Sequence, residues 1–413
     1  MTNTAPDTAA AISPRPEAQR RVLAVLVGSQ ILSGAGLAAG ITVGALLAQD
    51  MLGSTDLAGV PSALFTAGSA LAAVAVGRIS QARDRRPGLA IGYLTGAVGS
   101  AGVIAAAVAD SPVLLFIALF VYGAGTATNL QARYAGADLA APAHRARAVS
   151  TVLVATTLGG VVGPNLAAPT GRLADSLGLP TLAGPFLLSG TAYALAALVL
   201  AVWLRPDPLL LARGLDLRQP THPAATTTRR PGLIPGALTM ILTQLVMVAI
   251  MTMTPVHLHD HGHGTAASGL VIGIHVGAMY LPSPLTGWLV DRYGPTVVAV
   301  AAGLTLLAAG VTAAAAPGDS VALLALALAL LGLGWNLGLV SGTAMITDAV
   351  PLATRARTQG LVDVSIAIAG ATGGLGSGLV VAAAGYPVLA LTGGVLALAV
   401  LPAVVATASG SSR

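Results

Sequence analysis

Apolar runs of about twenty residues follow one another along the chain, each closed by a short stretch carrying Arg, Asp, Pro or Gly. Twelve can be marked, at 23–49, 58–80, 88–109, 112–134, 148–170, 182–204, 236–257, 266–290, 295–316, 320–346, 358–383 and 386–407. At about 1.5 Å of rise per residue, each is long enough to cross the hydrocarbon layer of a bilayer. The pattern predicts an all-α membrane protein of twelve transmembrane helices. One long polar break at 205–235, rich in Arg, Pro and Thr, divides the runs six and six. The expected organisation is a disordered segment 1–20, a first six-helix half 21–204, a linker 205–235, a second half 236–407 and a tail 408–413.

Composition agrees with this reading. With 55% hydrophobic and 8% charged residues and a mean hydropathy of +0.83, the apolar surface exceeds what a water-soluble globule can bury, so lipid is the expected surround. Every basic residue is Arg, which, with so much Ala, points to a GC-rich bacterial source. If the N-terminus is cytoplasmic, all of the arginines except Arg172 fall on or near the inner side. That asymmetry predicts cytoplasmic termini in a bacterial plasma membrane. It also accounts for the net charge of +5 as a topological signal, with no nucleic acid partner implied. The absence of Cys excludes disulfides and thiolate metal sites and leaves Met and His for any soft-metal chemistry.

The two halves repeat each other at a spacing of 210 residues. Gly77 to Gln81 aligns with Gly287 to Asp291, and Asp138, Arg145 and Arg147 align with Asp348, Arg355 and Arg357. Two related halves facing each other across a cavity form the layout of an alternating-access carrier. No nucleophile, base and orienting group share one depth, so neither an enzyme nor a cofactor is expected.

Candidate chemistry is concentrated in the seventh and eighth spans. Five of the 8 Met (Met240, Met247, Met251, Met253, Met279) and five of the 7 His (His257, His259, His261, His263, His275) lie between 240 and 279. Met247 and Met251 are four apart, as are His275 and Met279, so each pair shares a helix face. On antiparallel neighbours, Met247 and Met279 fall near the midplane, with Met251 and His275 about one turn further out. Three thioethers and a neutral imidazole select a soft cation such as Cu(I). The alternative is ordinary: Met fills gaps between helices and a buried His finds a polar partner. His257, His259, His261 and His263 read as an outer loop suited to metal capture, or as a solvated polar turn. Gln30, Asn129, Gln131, Trp335 and Asn336 are candidate cavity-lining groups, with interhelical hydrogen bonding as the other reading. Arg133 and Asp363, near the inner ends of their spans, are candidate gate or proton-path residues.

Gly287-Trp-Leu-Val-Asp291-Arg292-Tyr-Gly294 resembles the signature loop of the major facilitator superfamily, and the six-plus-six layout extends the likeness over nearly the whole chain. The resemblance implies a latch role for Asp291 and Arg292 at the inner face; Asp138 and Asp348, matched by the repeat, are further gating or coupling candidates. The first-half copy departs from the pattern, with Gln81 in the acid's place and Asp84 three residues on. Within that superfamily the M-x-x-x-M and H-x-x-x-M pairs are similar to those of CcoA-like bacterial copper importers. That likeness implies copper as the cargo, inward transport, and Met247, Met251, His275 and Met279 as its ligands. Gly159-x-x-x-Gly163-Pro164 is similar to an exporter motif and keeps an efflux antiporter for hydrophobic organic molecules open. A membrane metal sensor without flux is a further alternative, and a monomer is expected.

Overall fold

The computed structural model describes residues 15–52, 60–216, 232–318 and 320–401. Among them the chain forms α1 (Arg15–Leu52), α2 (Val60–Arg83), α3 (Arg85–Val108), α4 (Pro112–Ala137), α5 (Arg145–Ser176), α6 (Gly184–Trp203) and the short α7 (Pro208–Asp216). The second half contains α8 (Leu233–Asp260), α9 (Thr265–Tyr280), α10 (Ser283–Tyr293), α11 (Pro295–Ala315), α12 (Val321–Ala349), α13 (Arg355–Ala384) and α14 (Tyr386–Ala397). Nine helical stretches among the described residues are long and apolar enough to cross a membrane. With α1, α5 and α14 they make the twelve-crossing order, since in hydrocarbon a helix satisfies its own backbone polar groups.

Three boundaries differ from the sequence expectation. Helix α1 starts at Arg15, so 15–20 are helical, and residues 1–14 lie outside the described set. Within the expected linker, α7 packs Leu209 and Ala212 into the first half. Asp207 caps it, its Oδ1 accepting from Leu209 N at 3.0 Å and Leu210 N at 3.2 Å while Oδ2 accepts from Arg86 N at 2.6 Å. The remainder of the linker, 217–231, lies outside the described residues. The eighth span is two helices, α9 and α10, because Pro282 and Pro284 have no N–H to carry the ladder through.

The halves meet at the end bearing the arginine-rich loops, and they do so in matched pairs. Asp291 accepts from the first free backbone donors of α5, Ala146 N at 3.0 Å and Arg147 N at 3.2 Å. Gln81, the residue 210 positions earlier, does the same for α13: its Oε1 accepts from Ala356 N at 2.9 Å and Arg357 N at 3.4 Å, and its Nε2 donates to Ala353 O at 2.7 Å. The amide therefore fills the acid's place without its charge, because the task is to satisfy orphan N–H groups at a helix start. Arg145 pairs with Asp348, and its counterpart Arg355 lies 3.7 Å from Asp138, which Arg85 also holds at 2.7 Å. Gly77 and Gly287 permit the close approach: a Cβ there would sit 2.9 Å from Ala356 O and 2.8 Å from Ala146 O.

Deeper in the same end, the fully buried Arg133 on α4 reaches across to Asp363 on α13 at 2.8 Å and to Thr343 on α12 at 3.1 Å. Tyr134 donates to the same Asp363 oxygen at 3.1 Å. Arg292, in contrast, is exposed and forms no hydrogen bond or ion pair among the described residues; Arg147 Nε meets Asp291 in its stead at 3.1 Å. Of the two residues to which the signature loop implies a latch role, Asp291 makes the contacts with the other half in this conformation and Arg292 makes none among the described residues. Every hydrogen bond or ion pair that joins the halves among the described residues lies at this end. Among the described residues the halves are tied at this end and not at the opposite one.

Losing the carboxylate of Asp291 orphans two helix-start donors, a cost of about 1–3 kcal/mol that falls on this closed state alone. Because the chain has no native Cys, Ser150→Cys, buried against Gly287, reports opening by maleimide labelling. Asp291→Ala is expected to speed that labelling about tenfold, the equivalent of roughly 1.4 kcal/mol; an unchanged rate would show that the cap does not hold the end shut.

Candidate functional site

His275 is fully buried on α9, and its surroundings fix its tautomer. Its Nδ1 lies 2.8 Å from the carbonyl oxygen of Leu328 on α12. A carbonyl only accepts, so Nδ1 carries the proton and Nε2 presents a bare lone pair. That Nε2 is buried and has no hydrogen-bond partner among the described residues. Leaving a buried acceptor unmet costs about 1–3 kcal/mol. A carbonyl gripping the far nitrogen of an imidazole is the outer-shell geometry that aims a metal ligand.

Met279 is buried one turn along α9, and Met247 is buried on α8. Both belong to one apolar cluster with Leu328, Leu331 and Trp335 of α12, against which the half-buried Met251 also packs. Their depths can be compared through α12, on which both motif helices pack. A Cβ at Gly332 would lie 2.5 Å from His275 O and 3.0 Å from Met279 N, and one at Gly338 would meet Thr243 of α8. Gly332 is about 9 Å beyond Gly338, between Met247 at about 6 Å and Met251 at about 12 Å beyond Thr243. The four donors therefore bracket the same level of α12. Helices α8 and α9 are not the packed neighbours expected from the sequence, because each packs on α12 instead, so the donors flank α12 on two sides.

Between those sides stands Trp335. Its Nε1 donates to Gln244 Oε1 on α8 at 2.7 Å, and its ring meets Tyr280 of α9 edge-on with centroids 5.7 Å apart. Neither Gln244 nor Tyr280 is in the sequence-derived set, although a lone amide one turn from Met247 in an apolar span is a legible signal. Asn336 closes the gap between α9 and α10. Its Nδ2 donates to Met279 O and to Ser283 Oγ, both at 2.7 Å, and its Oδ1 accepts from Thr286 Oγ1 at 2.6 Å.

The remaining sequence-derived groups are placed elsewhere. Gln30 and Asn129 sit inside the first half, where Gln30 Nε2 donates to Asn129 O at 3.1 Å and Thr156 Oγ1 at 3.0 Å. Tyr93 donates to Gln30 Oε1 at 2.5 Å, and Asn129 Nδ2 to Ser33 Oγ at 2.9 Å. Gln131 ties α4 to α2 through Ala73 O at 2.7 Å. Gly159 abuts the backbone of α1 at Ile31 and Ala35, and Gly163 abuts Ala35, which gives the pair a packing role. The His tract is not a loop: α8 runs through Asp260, so His257 and His259 are helical and only His261 and His263 lie in the turn. Positions two apart point to opposite sides of a helix, and among the described residues no group of three or more His or acidic side chains gathers.

The profile of the Major Facilitator Superfamily matches residues 25–281 and 266–410. The uncharacterized MFS-type transporter YdeG of Bacillus subtilis (strain 168) is 57% identical over 401 residues, covering 94% of this chain and 93% of that protein. The riboflavin transporter RfnT of Brucella anthropi is 31% identical over 352 residues, covering 84% and 85%. Among solved structures, the human organic anion transporter MFSD10 superposes with a TM-score of 0.75 at 17% identity, covering 94% of this chain and 99% of that one. The matched repeat, the paired helix-start caps and these likenesses agree: the chain belongs to the Major Facilitator Superfamily and is a multi-pass membrane transporter.

Proposed function

We propose that this transporter moves copper inward across a bacterial plasma membrane, with Cu(I) held as cargo by Met247, Met251, His275 and Met279. The observation that carries the reading is the buried, unpartnered Nε2 of His275, one turn from Met279 and level with the two thioethers of α8. A soft cation relieves the orphan lone pair and accepts thioethers, which a hard cation does not. A neutral ligand set holds a monovalent ion without trapping it, as a carrier requires. The arginine asymmetry supports cytoplasmic termini, so the closed latch faces inward and the site awaits cargo from outside. Release follows when Asp291, Gln81 and the Arg133 to Asp363 pair let go and the halves rock.

A second reading has one specific observation behind it. The relative RfnT is named a riboflavin transporter, and Trp335 with Tyr280 and the Gln244 amide forms an aromatic and polar surface of the kind that holds a flat solute. The two readings separate in proteoliposomes. Radioactive copper uptake under reducing conditions is expected to fall at least tenfold in the Met247→Ala, Met279→Ala double variant and to be unaffected by excess riboflavin. Saturable riboflavin uptake that survives the same double variant, with no copper flux in the native chain, would replace the first reading with the second.

Because His275 leaves a buried acceptor unmet, its removal separates function from stability. His275→Leu is expected to abolish copper uptake while the thermal unfolding midpoint stays level or rises, since an apolar group of similar size ends the desolvation cost. A clear drop in the midpoint would mark His275 as a structural residue.

A further inference from the structure

We infer that His257 and His261 form a separate two-imidazole site for a divalent metal of the Cu(II) class at the end of the molecule opposite the latch. They are four apart across the end of α8, so they share a face, and their ring centroids lie 4.3 Å apart. His261 Nδ1 lies 2.8 Å from the carbonyl of His257 and must donate to it, which leaves Nε2 of the exposed His261 ring as a bare acceptor. Among the described residues neither ring nitrogen of His257 takes a protein hydrogen bond. Its ring is instead stacked on Tyr386 of α14, with centroids 4.3 Å apart and 15° between planes, and Tyr386 is itself held by Thr254 at 2.9 Å. One imidazole is thus held by the stacked tyrosine and the other is oriented by its bond to the His257 carbonyl, with its Nε2 edge beside Gly318.

The rest of the His tract does not share this arrangement. His259 is exposed on another face of the helix, and His263 Nε2 is committed to Gly318 O at 3.2 Å. Two imidazoles with water completing the shell suit Cu(II), which stands at the top of the divalent affinity order for nitrogen donors. No thioether is required, so this site and the sulfur-rich central one select different oxidation states. The pair stands on its own geometry as a Cu(II) site, and no transfer from it to the Cu(I) site is proposed, because that step would require a one-electron reductant. The charged group beside it is Asp260, which favours a bound cation.

The test is a Cu(II) titration of the purified full-length protein, followed by electron paramagnetic resonance. The native chain, the His259→Ala, His263→Ala variant and the Met247→Ala, Met279→Ala variant are each expected to bind one Cu(II) with two nitrogen ligands. His257→Phe with His261→Ala, which keeps the ring stacked on Tyr386, is expected to lose that signal, and His261→Ala alone to weaken it at least tenfold. A signal that persists in both His261 variants, or that disappears equally with His259 and His263, overturns the assignment. A native chain that shows this signal but carries no copper in proteoliposomes would count against the cargo reading alone.

Discussion

In hydrocarbon no water is present to satisfy a stray N–H or C=O, and this constraint organises the molecule from end to end. It dictates helices wherever the chain crosses. It also dictates what happens where a helix stops or breaks: Asp291 and Gln81 each take the first orphan donors of a helix in the other half, and Asn336 takes the Met279 carbonyl beside the prolines of the broken eighth span. The bare Nε2 of His275 is one of several buried polar atoms without a protein partner among the described residues, and what sets it apart is its place one turn from the buried thioether of Met279.

The same constraint sets the conformational state. The caps and ion pairs linking the halves are exchanged symmetrically about the 210-residue repeat, Arg145 to Asp348 mirrored by Arg355 to Asp138. A symmetric clasp at one end, with none among the described residues at the other, is one of the two states that rocking halves alternate between. Because Gln81 performs with an amide what Asp291 performs with a carboxylate, the two sides of the clasp differ in charge while agreeing in geometry. The buried Arg133 to Asp363 pair is the deepest tie and must be undone whenever the closed end opens.

Much of this was legible in the sequence because hydropathy and spacing are first-order signals. Twelve apolar runs and the repeat follow from residue type and position, and Asp291 is picked out by the resemblance of its loop to the family signature. The Met and His pairs were readable as pairs, since positions four apart on a helix share a face whatever surrounds them. What lay beyond reach were facts settled by a third element. Nothing local says that α12 separates α8 from α9, that the Leu328 carbonyl fixes the tautomer of His275, or that Gln30 and Asn129 spend their amides inside one half. The His tract looked like a loop because His and Asp are polar, yet α8 carries on through Asp260, and only tertiary packing on Tyr386 reveals which two rings matter. Arg292 was credited with a latch role by its place in a motif, whereas Arg147 makes the contact.

If copper is the cargo, the thioethers of α8 and the imidazole of α9, which flank α12 at the level of Gly332, must close on one ion. X-ray absorption at the copper edge of the Cu(I)-loaded protein examines that claim most directly. The predicted shell is dominated by sulfur with a single nitrogen, and the nitrogen disappears in His275→Leu. A shell of nitrogen and oxygen alone, or one left unchanged by that substitution, would contradict it.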